Sequence, residues 1–397
     1  MTPLLLSAFT TTTCLGRGLA PTLDALRARR SGLRRCDFDS VELDTFIGTV
    51  DGVDQVRIRQ DLQPYDCRNN RLLQLTLEQD GFSDLVAAAV RRYGAERIGM
   101  FLGTSTAGIL QTELAFRRRD PGTGALPADF IYRTTHNTFS ASDFAHRYFS
   151  LSGPAATISS ACSSSAKVFA SARRMIEAGV IDAAVVGGVD SLCLTTLYGF
   201  SSLGLLSDTA CRPFDAHRSG ISIGEAAALV LLEKIPDKPD TNSILLLGVG
   251  ESSDAHHMSS PHPEGLGAAL AMQQALASAG ITAQKIDYIN LHGTATPTND
   301  AAEGKAVYDL FGPGVACSST KGATGHTLGA AGGVEAVVCA LALRHGFMPG
   351  GVNTTDLDPA LPLNYLRGNE EHRIDRVLSN SFGFGGTNCS LVFGKAN

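Results

Sequence analysis

The chain contains no tryptophan, and phenylalanine and tyrosine together bring its aromatic content to only 7%. With so few large rings and 42 glycines in 397 residues, the interior has to be packed from small side chains whose backbones approach closely. A CxxC pair is missing, and nine cysteines at irregular spacings support neither a zinc cluster nor a disulfide framework. A reducing, cytoplasmic setting fits that usage. Lysine is scarce, seven of the 33 basic residues, and the formal net charge of −6 disfavours a general affinity for nucleic acid or for anionic membranes. Arginines nevertheless gather at Arg27, Arg29, Arg30, Arg34 and Arg35 and again at Arg117, Arg118 and Arg119, which reads either as local basic patches or as solvated helix faces. No run is read as reaching the roughly 18 apolar residues of a membrane span, and the opening MTPLLLSAFTTTT, without a basic start, reads as a buried first strand. What is present, 44% hydrophobic and 18% charged residues, describes a globular chain with a sizeable core.

Short β-rich runs alternate with helical ones, as in Ile98 to Leu102, Ser163 to Ala178 and Ala183 to Val189, which argues for an α/β fold. In the helix, Val168, Phe169, Ala172, Met175 and Ile176 form one apolar face, and Gly179 ends it. The apolar run from Ala183 predicts a strand covered on both faces. Two prolines and four charges in Lys234 to Ser243 interrupt the apolar pattern and mark a join between halves at residues 1–240 and 241–397. Across that join Pro3 to Leu6 matches Ile244 to Leu247, Gly103-Thr104-Ser105-Thr106 matches Gly293-Thr294-Ala295-Thr296, and Ser159 to Cys162 corresponds loosely to Ser318 to Lys321. A duplicated α/β unit explains these matches.

Four segments carry chemistry. Cys162 follows a small-residue run, Ala155 to Ala161, and precedes the amphipathic helix, so it is expected at that helix's N-terminus. Exposed N–H groups and the helix dipole stabilise a thiolate there and are expected to lower its pKa from about 8.5 towards about 7. Cys14, Cys36, Cys67, Cys193, Cys211, Cys317, Cys339 and Cys389 are read as structural residues. A strand from Ile286 delivers His292 to a glycine-rich turn, the edge that faces the ligand crevice in α/β folds. In Lys321 to Gly333, glycines and alanines permit close packing around His326, and Glu335 is placed at the start of the next helix. The glycines of Ser379 to Asn388 suit a tight loop that supplies N–H groups to an oxyanion. His256, His257 and His262 lack a matching acidic set and read as a substrate-side loop rather than a metal site.

Together and in this order, these segments resemble the condensing enzymes of the thiolase-like superfamily, specifically the Cys-His-His β-ketoacyl-acyl-carrier-protein synthases. The resemblance runs from the first strand to Phe393 and includes Arg212-Pro213-Phe214-Asp215 and Gly224-Glu225. It implies a thiolase-like fold of two duplicated halves in an α-β-α-β-α layering. It also implies that Cys162 accepts the acyl group, that His292 and His326 bind and decarboxylate a malonyl thioester, and that Lys321 and Glu335 orient the site. The N–H groups of Cys162 and Phe384 would form the oxyanion hole, Thr294 and Thr296 would bind the phosphopantetheine arm, and Phe382 and Phe384 would line the acyl pocket, Phe384 as its gate. No cofactor or essential metal is implied, although a structural monovalent cation or water near Asn290, Glu335, Ser379 and Asn380 is.

The same resemblance implies an acidic acyl carrier protein as partner, with Arg68 and Arg71, at i and i+3 on a helix, as docking residues. Dimerisation is implied too, with a second copy or with a chain-length-factor homologue. Ser219-Gly220 stands where fatty-acid elongating enzymes usually carry Asp-Gly, and the run from Tyr65 to Arg71 is more similar to ketosynthases of bacterial aryl polyene clusters. Extension of conjugated chains is therefore expected, with ordinary fatty-acid elongation as the alternative. A non-catalytic chain-length factor is the third reading, and retention of Cys162, His292, His326 and Lys321 counts against it.

Overall fold

The computed structural model describes residues 1–238 and 240–396. In chain order the first half supplies β1 (Leu4–Thr13), α1 (Arg68–Leu77), α2 (Phe82–Tyr93), β2 (Ile98–Gly103), α3 (Ser140–Tyr148), β3 (Ala155–Ile158), α4 (Ser164–Glu177), β4 (Ala183–Asp190) and β5 (Ala226–Lys234). The second half supplies β6 (Ile244–Ser253), α5 (Leu266–Ala279), β7 (Tyr288–Asn290), α6 (Pro297–Phe311), β8 (Ala316–Ser318), α7 (Ala331–His345), β9 (Arg376–Gly383) and β10 (Thr387–Lys395). The segment read as the join runs between β5 and β6, and its Pro239 lies outside the described residues.

These strands follow the order β8-β7-β9-β10-β6-β1-β5-β4-β2-β3 within a twelve-stranded sheet. Each strand of the first half has its counterpart five labels on, so β1, β5, β4, β2 and β3 repeat as β6, β10, β9, β7 and β8. Pairing type repeats as well: the fifth strand of each half is antiparallel to its neighbours, and the other three are parallel. Within the sheet the two leaves meet along β1 and β6, where Leu4 pairs with Leu246 and Leu5 with Leu245.

Between the two leaves lie α4 and α7, packed on each other. The first reaches β2 and β4 on one side and β10 on the other, while α7 reaches β4 and β5 on one side and β9 and β10 on the other. Outside, α1 to α3 cover the first leaf, and α5 and α6 cover the second, giving five alternating layers. This explains why β4 is buried along its whole length and reads as continuously apolar. It also accounts for α7. The 18 residues Leu328–His345 have a mean hydropathy of 1.3, enough for a membrane span by length and composition, which corrects the reading that no such run exists. The run is 89% buried, because a helix between two sheets has no polar side to offer.

Close approach is what the glycines provide. A Cβ on Gly103 would sit 2.3 Å from the Ser165 backbone nitrogen, so glycine there lets the first turn of α4 rest on the end of β2. Gly179 ends α4 at a φ of 71°, as the periodicity predicts. Four of the eight clustered arginines are committed to ion pairs. Arg34 pairs with Asp37 and Asp51, Arg35 with Asp44, Arg117 with Asp39 and Arg118 with Asp129, and ion pairs this exposed contribute little to stability. All nine cysteines are free thiols, buried except for the half-buried Cys14 and Cys36.

Candidate active site

Three side chains from the two halves converge above the ends of the strands. Cys162 follows β3 and directly precedes α4, and it is 7% exposed. Ala161 before it takes a φ of 52°, left-handed backbone that a non-glycine residue adopts only where neighbours enforce it. Gly383 is one such neighbour: a Cβ there would lie about 3.2 Å from the backbone nitrogens of Cys162 and Ser163. The expected fall in thiol pKa is not what the surroundings produce. Burial pushes Cys162 up to about 11, with Lys321 and the Phe384 N–H pulling down and the Asp190 and Glu335 carboxylates adding to the rise. Desolvation of an enclosed sulfur outweighs the helix end.

His292 follows β7, and His326 follows the short helical turn Lys321–Thr324 that succeeds β8. Their rings meet edge to face with centroids 5.3 Å apart. Both are held well below the usual imidazole range, first by burial and then by the Lys321 charge, so both are neutral at neutral pH. Their tautomers follow from their partners. The Leu328 N–H donates to His326 Nδ1 at 3.1 Å, and the Lys321 ammonium, which has only donors, lies 3.4 Å from His292 Nδ1. Each ring therefore carries its proton on Nε2, the edge left for the cleft. The donor atoms of Cys162, His292 and His326 all lie within 4.8 Å of one another, as a soft metal site requires. The tautomers make it a site of two N–H donors beside a sulfur instead, since a metal needs the Nε2 lone pairs.

Lys321 is 2% exposed; it donates to the His292 carbonyl at 2.5 Å and to Glu335 Oε1. Burial raises the Glu335 carboxyl to about 7, against the pull of Lys321. Glu335 lies in the second turn of α7, which starts at Ala331 and so earlier than expected. Its Oε2 is buried without a partner, and the side chains of Asn290 and Ser379, buried too, have only the Cys339 thiol against them. Asn380 does not share that condition, because it donates to Glu303 at 3.0 Å and accepts from Ser390 at 2.8 Å.

The Beta-ketoacyl synthase N-terminal domain model matches residues 72–238, and the corresponding C-terminal domain model matches residues 244–355. The chain belongs to the beta-ketoacyl synthase family. It is 32% identical to a 3-oxoacyl-[acyl-carrier-protein] synthase 2 of Vibrio cholerae over 96% of this chain and 95% of that one. A mitochondrial 3-oxoacyl-[acyl-carrier-protein] synthase of Arabidopsis thaliana is 39% identical over 62% of this chain, a segment that spans 57% of that protein. Among solved structures, a ketosynthase (ApeO) in complex with its chain length factor (ApeC) from Xenorhabdus doucetiae superposes with a TM-score of 0.90. It is 40% identical and covers 100% of this chain and 98% of that one.

The synthase's three central side chains open into a cleft that is also lined by Phe200, Leu205 and Ile221. Thr294 and Thr296 stand on one wall with their hydroxyls 2.8 Å apart, and Phe382 lies against the His292 ring. Phe384 is half-buried, tilted against Phe200 with centroids 5.7 Å apart. The histidine-bearing loop runs along the cleft mouth. Its Asp254, Ser259, Ser260 and Pro261 line the wall, and the Gly385 N–H donates to the Met258 carbonyl.

Arg68 and Arg71 do lie on one helix, α1, but Arg68 is not presented for docking. The Arg68 side chain is 6% exposed, forked onto the fully buried Glu225 at 2.7 and 2.8 Å and bonded to Asp54. Glu225 in turn accepts the N–H groups of Val50 and Leu192, so this arginine holds three segments together. Removing one member of such a buried pair costs about 3–5 kcal/mol, because its partner is left charged and unsolvated. Arg71 is forked onto Asp66, which neutralises it. One functional carboxylate escaped the sequence reading. Glu303, on α6, accepts the N–H groups of His292 and Gly293, both at 2.7 Å, and burial raises it to about 7.

Proposed function

We propose that this condensing enzyme extends conjugated, aryl-polyene-type chains by decarboxylative Claisen condensation, in partnership with a chain-length-factor homologue. The observation that carries the chemistry is the pair of Nε2–H donors beside a thiol, both donors coming from the second half and the thiol from the first. In the first step the Cys162 sulfur attacks a carrier-bound acyl thioester, the carrier thiolate leaves, and the thiol proton passes to it. In the second, malonyl thioester loses CO2, and the enolate oxygen is held by His292 and His326. The enolate carbon then attacks the acyl carbonyl; a carbon–carbon bond forms, the bond to Cys162 breaks, and the thiolate recovers a proton. The N–H groups of Cys162 and Phe384 hold the intermediate oxyanion, and the Phe384 N–H already points at the sulfur. Lys321 and Glu335 fix the His292 tautomer. Thr294 and Thr296 take the phosphopantetheine arm, and Phe382 and Phe384 border the acyl chain.

The buried polar atoms of Asn290, Glu335 and Ser379 fit a monovalent cation or a water, which would supply the missing partner of Glu335. An acyl carrier protein delivers both substrates. For the partner subunit, support comes from the ketosynthase solved in complex with its chain length factor, 40% identical over the whole chain. It comes also from the outer edge of β3 and from exposed Phe116, Ile131, Tyr132, Phe139, Tyr198 and Leu203. Fatty-acid elongation is the reading favoured by the curated relatives.

Intact-protein mass spectrometry after exposure to matched saturated and aryl-enoyl carrier thioesters, with Cys162→Ala as control, tests the substrate class. Preferential acylation of Cys162 by aryl-enoyl chains is expected. Acylation by the saturated set alone would make the protein a fatty-acid elongating enzyme.

A further inference from the structure

Asp190 ends β4 fully buried, and the mechanism gives it no role. Five donors converge on its carboxylate: the Thr104 hydroxyl at 2.7 Å, the Ser105 N–H, the Thr106 N–H and the Thr106 hydroxyl at 2.8 Å each, and the Gly329 N–H at 2.5 Å. The first four fix the turn after β2, and the fifth crosses to the other half. Two consecutive N–H groups on one buried carboxylate repeat what Glu303 does for His292 and Gly293 at the corresponding turn after β7. In the first half the clamped turn carries no histidine. Its Ser105 hydroxyl instead reaches the carbonyl of Ala161 at 3.3 Å, the residue before Cys162.

The fifth bond gives this carboxylate its reach. Gly329 follows Leu328, whose φ is 52° and whose N–H holds His326 Nδ1. Two adjacent peptide N–H groups of one turn thus point to Asp190 and to His326. The fit is close: a Cβ on Gly329 would lie 2.8 Å from Asp190 Oδ2 and from the Ser105 nitrogen and hydroxyl.

We propose that Asp190 is a positioning residue for decarboxylation, acting through the Leu328–Gly329 turn to hold His326 with its proton on Nε2. The assignment rests on the condensing reading above. It separates the half-reactions in a way that a general packing role does not. Asp190 carries negative charge near Cys162 and raises its thiol. Asp190→Asn withdraws that charge and sets an amide against N–H donors. The His326 turn then loosens while the thiol becomes more easily ionised.

The test compares the full-length parent and Asp190→Asn in two assays. One is CO2 release from malonyl-carrier, and the other is the rate of Cys162 alkylation by iodoacetamide at pH 7.5. Decarboxylation is expected to fall at least tenfold while alkylation rises. A smaller loss of decarboxylation, or alkylation falling in parallel with it, overturns the assignment. Gly329→Ala, which displaces the turn without altering charge, carries the same test should Asp190→Asn fail to fold; it is expected to lose decarboxylation at least tenfold with alkylation within twofold of the parent. An active parent matched by its variants refutes the role of Asp190 alone, whereas a parent inert towards malonyl-carrier refutes the condensing reading and this role together.

Discussion

At the end of β3 the first half turns into α4 through Ala161 and Cys162, whereas at the end of β8 the second half turns through Thr320 into Lys321. The turns after β2 and β7 are likewise counterparts, yet one presents only Thr104, Ser105 and Thr106, all committed to hydrogen bonds, and the other presents His292. The repeated frame therefore determines where turns meet, and the residue at each turn determines what the meeting does. A thiol stands at one of the paired positions and an ammonium at the other. The thiol opens into the cleft, and the ammonium lies buried behind it against the His292 carbonyl.

Removing the ammonium breaks this division most severely. Lys321→Ala leaves Glu335 buried opposite nothing and frees His292 Nδ1. Stability to urea is expected to drop by about 3–5 kcal/mol, with malonyl decarboxylation falling at least a hundredfold, a barrier rise of about 2.7 kcal/mol. Unchanged stability would show that the cluster is hydrated and the pairing dispensable.

A smaller effect sharpens the same comparison. With burial holding the Cys162 thiol near 11, the thiolate fraction in the free enzyme grows tenfold per pH unit below that value. Iodoacetamide alkylation should thus keep climbing from pH 7 to 10. A plateau near pH 7 would mean that Lys321 and the α4 N-terminus together outweigh desolvation, and that the sequence expectation was the better one.

Much of this organisation is legible in the sequence. The strand and helix over Ile98, Ser163 and Ala183 are found within one residue, because burial on both faces or on one stripe leaves a periodic trace. Cys162, His292, Lys321 and His326 stand out because glycines and small residues mark the turns that hold them. Asp190 and Glu303 did not, for a physical reason. One acidic residue among 39 has no distinguishing neighbours in the chain, and its burial is decided by segments that meet it only in the fold, as Gly329 meets Asp190 across 139 residues. Arg68 and Arg71 show the limit of periodicity: three residues apart on a helix, they differ because Glu225 from β5's approach lies beneath only one of them.

The central claim is that each half contributes one half-reaction. Measuring both in Cys162→Ala and in His326→Ala tests it most directly. Cys162→Ala should lose acylation completely and still release CO2 from malonyl-carrier, while His326→Ala should still be acylated and lose CO2 release at least a hundredfold. Loss of both activities together in either variant would contradict the account.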